Sequence, residues 1–171
     1  FFPKEPKNFK SSHYKIMMLW MNILSSILGI KVDIRGIPDQ SANLFVSNHV
    51  TYLDIIIINK LLPVNFIAKE EISSWPVIGR LASKTGTLFI KRGDNVESSK
   101  MIYEMEERFK LQNKIVFFPE GKIGNGKRVR KFHYKLFKSI ENKELYIQPI
   151  AIRYPIGYPM NNNYSEIISD K

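Results

Sequence analysis

Short apolar runs alternating with amphipathic helical stretches predict an α/β fold, a mostly parallel sheet flanked by helices. Three observations carry this expectation. Five short runs rich in aliphatic and aromatic residues occur at 44–47, 65–68, 87–91, 114–118 and 145–153, each of strand length. The runs are mainly apolar rather than alternating, as in strands covered on both faces. Longer stretches between them carry helical periodicity, and parallel neighbours need such crossovers. The 171 residues are 44% hydrophobic and 25% charged, which suffices for one core.

The elements follow in chain order. Residues 1–13 are polar and basic with two prolines, and read as a loose arm. Residues 14–29 read as a helix with Met17, Leu19, Trp20, Ile23, Leu24 and Ile27 on a broad apolar face, ended by Gly29 as a C-cap. That face either packs on the core or lies in a membrane interface with Trp20 at headgroup level. The strand at 44–47 is followed by a helix at 51–60, although the β-branched run Ile55–Ile58 would tolerate a strand. Residues 70–84 look helical with a break at Trp75-Pro76, since Pro disfavours helical geometry in the residue before it. The helix at 95–111 turns Val96, Met101, Ile102, Met105 and Phe109 to one face. A glycine-rich loop through Lys127 follows the fourth strand, and 132–140 reads as a further helix. No linker divides the pattern. The natural division is an arm and helix at 1–30 and a single α/β domain at 31–171.

Composition excludes some chemistry. The chain has no Cys and three His, so it has no disulfide framework or thiolate nucleophile, and no structural zinc site is expected. No stretch reaches the roughly 20 apolar residues that span a bilayer; the longest, 16–30, has a basic flank and also fits a signal-peptide core. The chain opens on Phe, as a fragment or processed form would. Net charge is +10, a surface that attracts polyanions, whether nucleic acid or anionic lipid.

Open α/β sheets bind ligands beyond the carboxyl ends of their strands, and the notable polar residues fall there. His49 follows the first strand, with Asp54 five residues on. His can accept a proton near neutral pH, and a carboxylate behind it fixes its tautomer. In one unbroken helix the two would stand about 140° apart. With His49 in the loop and Thr51 as N-cap, they can converge. The plainer alternative is a capping His and a solvated Asp. Lys91 and Arg92 end the third strand, which Gly86 opens; Arg92 either grips a phosphate through its forked donors or is a solvated strand-end charge. Glu120 and Gly121 end the fourth, as a carboxylate at the mouth of the sheet or a turn with an exposed Glu.

Asn48-His49 with Asp54, the block 86–92, Phe118-Pro119-Glu120-Gly121 and the block 147–151 together resemble the glycerolipid acyltransferase family that includes the 1-acylglycerol-3-phosphate acyltransferases. The four blocks stand in the family's order and cover roughly residues 30–153. The resemblance implies a glycerol-3-phosphate acyltransferase-like fold with a membrane-associated N-terminal helix, working at the cytoplasmic face of the cell membrane. His49 would be the general base for a lysophospholipid hydroxyl, most simply that of 1-acylglycerol-3-phosphate, giving phosphatidic acid. That oxygen would attack the thioester of acyl-CoA or acyl-carrier protein directly, with no cofactor, metal or nucleic acid involved. Asp54 would orient His49. Arg92, with Lys91, would hold the acceptor phosphate near Gly86, and Glu120 and Gly121 would shape the acceptor site.

This sequence departs from the family pattern after Gly121, where Lys122-Ile123 replaces the usual hydroxyl residue. The loop that follows is similar to that of relatives acylating lyso-ornithine lipid. The chain also stops soon after the fourth block, so terminal sheet elements would be missing. Two rival readings use the same segment. Gly121 through Arg128 nearly matches a phosphate-binding P-loop, although Arg128 stands where Mg²⁺ binding requires Ser or Thr. The cations from Lys122 to Lys138 also suit a non-enzymatic module for nucleic acid or membrane.

Overall fold

The computed structural model describes residues 10–91, 95–124, 128–141 and 143–155. Its elements are α1 (Ser11–Ile27), β1 (Ala42–Ser47), α2 (Leu53–Leu61), β2 (Val64–Lys69), α3 (Ile78–Lys84), β3 (Leu88–Ile90), α4 (Asn95–Lys110), β4 (Lys114–Phe117) and β5 (Tyr146–Ile150), with 3-10 helices at Glu70–Ser74 and Tyr134–Ile140. The five strands form one sheet in the order β3-β2-β4-β1-β5, and every pairing is parallel.

The apolar runs explain this arrangement. Alternate residues of a strand face opposite sides, and here both sides are covered. Phe45 pairs with Val116, which pairs with Phe66; this row packs with Ile58 of α2 and with Leu62 just after it. Leu44, Ile115 and Phe117 pack with Met101, Met105 and Phe109 of α4 and with Leu136. The crossovers from β1 to β2 and from β2 to β3 step in the same direction along the sheet, so right-handed connections put α2 and α3 on one face. The return from β3 to β4 puts α4 on the other.

α1 begins three residues before the predicted start. His13 closes it by accepting a hydrogen bond from the Lys10 N–H on Nδ1 at 2.9 Å. Its end is a Schellman motif. Gly29 takes φ 65, and the N–H groups of Gly29 and Ile30 reach back to the carbonyls of Ser26 and Ser25. α1 packs on α2, pinned by Lys60 Nζ donating to buried Ser25 Oγ at 3.0 Å. Near its start, Tyr14 is held by Asn65 Oδ1 at 2.8 Å, at the edge where the strands begin. Much of its apolar face is uncovered, with Trp20 62% and Ile27 75% exposed. Among the described residues, no helix is long and apolar enough to cross a membrane.

Two sequence expectations shift. Val96, expected on the buried face of α4, is exposed, whereas Arg108 is buried, its guanidinium donating to the Gly86 carbonyl at 3.3 Å. The segment expected as a helix at 132–140 is a 3-10 helix over Tyr134–Ile140. The break expected at Trp75-Pro76 is present, with a 3-10 helix before it and α3 after it.

Candidate active site

β1 and β4 are neighbours in the sheet, so the loops after them meet. His49 lies just past β1 and Glu120 just past β4, and both line one groove of about 160 Å³ with Asn48, Val50, Gly124 and Arg128. Gly124 N–H donates to the His49 carbonyl at 2.7 Å and holds the β4 loop against the β1 loop.

His49 and Asp54 converge. Nδ1 of His49 lies 2.8 Å from Asp54 Oδ2. The imidazole is 12% exposed and the carboxylate is fully buried. α2 starts at Leu53, so Asp54 is in its first turn while His49 stays in the loop. Thr51 does not cap the helix as expected: its Oγ1 is 3.5 Å from the Leu53 N–H, and the helix's preceding residue is Tyr52. Asp54 itself fixes the turn. Oδ2 also accepts the N–H groups of Val50 at 2.7 Å and Thr51 at 3.0 Å, satisfying two donors of the turn that leads into the helix. The same carboxylate thus builds the loop and orients the ring. An ionised carboxylate only accepts hydrogen bonds, so His49 carries its proton on Nδ1, and the lone pair of the neutral ring is on Nε2.

Four further residues surround this pair. The Tyr154 hydroxyl donates to Asp54 Oδ1 at 2.6 Å. Asn48 makes a two-bond clamp on Ile152: its Nδ2 donates to the carbonyl at 2.9 Å and its Oδ1 accepts the N–H at 2.8 Å. The clamp fastens the end of β1 to the chain beyond β5 and brings Tyr154 to Asp54. Phe118 stacks on the imidazole, with ring centroids 3.9 Å apart and planes 9° apart. Tyr52 meets the ring edge-on at 6.4 Å and touches Trp75 at 6.2 Å; burial holds the Tyr52 hydroxyl pKa above its ordinary range. Tyr154 is 100 residues from Asp54, so no local spacing announces it. Asn48 was visible as a strand-end residue without a role, and Phe118 read only as the end of an apolar run.

Glu120 is 7% exposed, not the solvated turn residue of the plainer reading. Its Oε2 accepts the Arg130 N–H at 2.9 Å. Gly121 turns the chain with φ 65, and its N–H returns to the Phe118 carbonyl at 2.9 Å. Lys91 is exposed past β3, on the same edge of the sheet but three strand spacings from β1, roughly 14 Å. Arg92 lies outside the described residues. Gly86 is not brought to the groove. It precedes β3 and is buried at the opposite edge, with φ 79 and its carbonyl engaged by Arg108. In a parallel sheet, a residue before a strand cannot share an edge with residues that follow strands.

The P-loop reading fails on geometry. Such a loop must feed a helix whose N-terminus faces the phosphates, and residues 128–133 are not helical; Gly126 and Lys127 lie outside the described residues. No group of three or more His, Cys, Asp or Glu able to hold a metal ion occurs among the described residues.

A family model described as Acyltransferase matches residues 30–153. The lyso-ornithine lipid O-acyltransferase of Pseudomonas aeruginosa is 36% identical over 135 residues, covering 79% of this chain and 52% of that protein. The 1-acyl-sn-glycerol-3-phosphate acyltransferase of Neisseria gonorrhoeae is 31% identical over 147 residues, covering 85% and 57%. The crystal structure of the 1-acyl-sn-glycerophosphate acyltransferase PlsC from Thermotoga maritima aligns with a TM-score of 0.61 at 20% identity, covering 78% of this chain and 55% of that one. The last likeness is one of fold. The chain spans about half the length of the curated relatives it matches.

Proposed function

Because the chain belongs to the acyltransferase family, we propose that it moves a fatty acyl group from a thioester, acyl-CoA or acyl-carrier protein, to the free hydroxyl of a lysophospholipid. The observation that carries this reading is the His49–Asp54 pair, 2.8 Å apart in a groove shared with Glu120 and Arg128. Nε2 of His49 takes the hydroxyl proton as the oxygen attacks the thioester carbonyl carbon. Asp54 stabilises the imidazolium that results. The tetrahedral intermediate collapses, the C–S bond breaks, and the imidazolium returns its proton to the departing thiolate. No acyl-enzyme forms, and the ester is the only new bond to the acyl carbon.

The acceptor we favour is 1-acylglycerol-3-phosphate, with phosphatidic acid as product; Arg92, with Lys91, would hold its phosphate. A second reading, acylation of lyso-ornithine lipid, is favoured by a specific observation. Lys122-Ile123 departs from the pattern after Gly121, and the relative from Pseudomonas aeruginosa carries that name. The exposed cations Lys122, Arg130, Lys131, Lys135 and Lys138 suit the phosphates of CoA or an anionic leaflet. α1, with its exposed Leu19, Trp20, Ile23 and Ile27, suits an interfacial helix on the cytoplasmic face of the membrane. The test is transfer of a labelled acyl chain from both donors to a panel of lyso-lipids. Transfer to 1-acylglycerol-3-phosphate supports the first reading, transfer restricted to lyso-ornithine lipid supports the second, and no transfer to any acceptor removes both.

A further inference from the structure

A surface helix ordinarily turns its large apolar side chains inward. α3 does the reverse. Gly79 is the residue it buries, so close to the preceding 3-10 helix that a Cβ there would lie 2.2 Å from the Ser73 carbonyl oxygen. Outward stand Ile78 at 54%, Leu81 at 56% and, just before the helix, Val77 at 68% exposed. Val77 has φ 63 and ψ −60, and the Ile78 N–H donates to the Pro76 carbonyl at 2.7 Å. This is the rare, strained form of the γ-turn, here on a β-branched residue, for which positive φ is a true outlier. Strain of this kind persists only where the surroundings enforce it, and it concentrates at functional sites.

The turn is also linked to His49 by ring contacts. Trp75 is 38% exposed, and its ring contacts Tyr52, which meets His49 edge-on. At 100° per residue, Arg80 and Lys84 fall along one margin of the arc that presents Val77, Leu81 and Ile78, and both are exposed. The acidic pair Glu70 and Glu71 stands at the far end of the 3-10 helix. α3 shares its face of the sheet with α2, on which α1 packs.

We propose that Trp75 to Leu81 form a membrane-inserting tip for an anionic bilayer, separate from α1, that sets the bilayer beside His49. Val77, Ile78 and Leu81 enter the acyl region, Trp75 takes the headgroup level, and Arg80 and Lys84 meet lipid phosphates. An apolar tip with a cationic margin, on a chain of net charge +10, complements a negative leaflet. The docking itself rests on these observations alone. Its role of passing a single-chain acceptor to His49 without an excursion through water rests on the proposed transferase reading.

The chain has two Trp residues, so Trp20→Phe leaves Trp75 as the sole reporter. With vesicles of phosphatidylcholine and phosphatidylglycerol bearing brominated acyl chains, Trp75 emission should be quenched and shift to the blue. In the same background Val77→Asp with Ile78→Asp should weaken vesicle binding about tenfold or more, since burying one such side chain is already worth about that factor. Vesicle binding in which only Trp20 is quenched, read in Trp75→Phe, would overturn the proposal, as would binding unchanged by the two Asp substitutions. Neither readout involves a thioester or turnover. A protein that docks through Trp75 but transfers nothing therefore contradicts the transferase reading and leaves the tip intact.

Discussion

Asp54→Asn separates catalysis from folding at this site. The carboxylate accepts four hydrogen bonds, from His49 Nδ1, the Val50 and Thr51 N–H groups and the Tyr154 hydroxyl. An amide of the same shape keeps an oxygen where Oδ2 stands and offers its NH₂ to the Tyr154 oxygen, which can accept it. The loop therefore survives, and what is lost is the charge in each bond. Charge-assisted bonds are about twice as strong as neutral ones, so the expected cost is ~1–3 kcal/mol. At about 2–4 °C per kcal/mol for a chain of this size, Tm falls by roughly 2–12 °C. Asp54→Ala is the poorer probe. It strands two backbone N–H groups at ~1–3 kcal/mol each and approaches the whole stability of a domain, about 5–15 kcal/mol. Activity should respond to Asn far more than stability does. An imidazolium without its carboxylate loses most of the general-base gain, so kcat should fall about 10²–10⁴-fold with KM little changed. The assay is transfer of a labelled acyl chain to the preferred acceptor, with thermal unfolding run in parallel. A folded Asn variant within about tenfold of wild type would refute the catalytic role and leave Asp54 as a loop anchor only.

Other substitutions test the surrounding structure. Tyr154→Phe removes a hydrogen bond to a charged acceptor, worth ~1.5–3 kcal/mol, and should lower kcat by about tenfold or more while leaving KM unchanged, as steady-state kinetics would show. Gly79→Ala should destabilise the protein by at least ~2 kcal/mol in urea titrations, because the new methyl meets the backbone of the 3-10 helix rather than a movable side chain. Val77→Gly should raise stability by ~1 kcal/mol, since Gly takes positive φ without strain. Burial, opposed by nearby Arg108 and the bond to Asn65, pushes the Tyr14 pKa up from 10.0 to about 12. The folded value lies above the unfolded one, so its contribution is complete below pH 10 and is lost as pH climbs through about 12, roughly 2–3 kcal/mol in all. Urea midpoints at about pH 9 and about pH 11.5 should show this loss in wild type and a smaller one in Tyr14→Phe.

What sequence could and could not reveal follows from range. The strands were legible because buried parallel strands are written as continuous apolar runs, and the run at 145–153 announced β5, the more exposed edge strand. His49 and Asp54 were legible because a strand-to-helix turn brings together residues five apart. The structure then adds the reason for their placement: Asp54 is the acceptor for the turn's own N–H groups. Tyr154, Phe118 and the Asn48 clamp were not legible, since their contacts are made between strands far apart in sequence. Gly86 was misplaced because a block of sequence around a strand spans both ends of it, and only one end reaches the groove. α3 shows the same limit in reverse. Its composition suggested an ordinary helix with a break, while the orientation of Ile78 and Leu81 depends on Gly79 packing against a neighbouring backbone.

Most direct of all is the comparison of wild type with His49→Ala in acyl transfer to lyso-lipids, with product and protein both read by mass spectrometry. Loss of diacyl product by about 10²-fold or more, with no acyl adduct on either protein, is the predicted result. Undiminished transfer by the Ala variant, or an acyl group found covalently on the wild-type chain, would contradict direct transfer driven by His49.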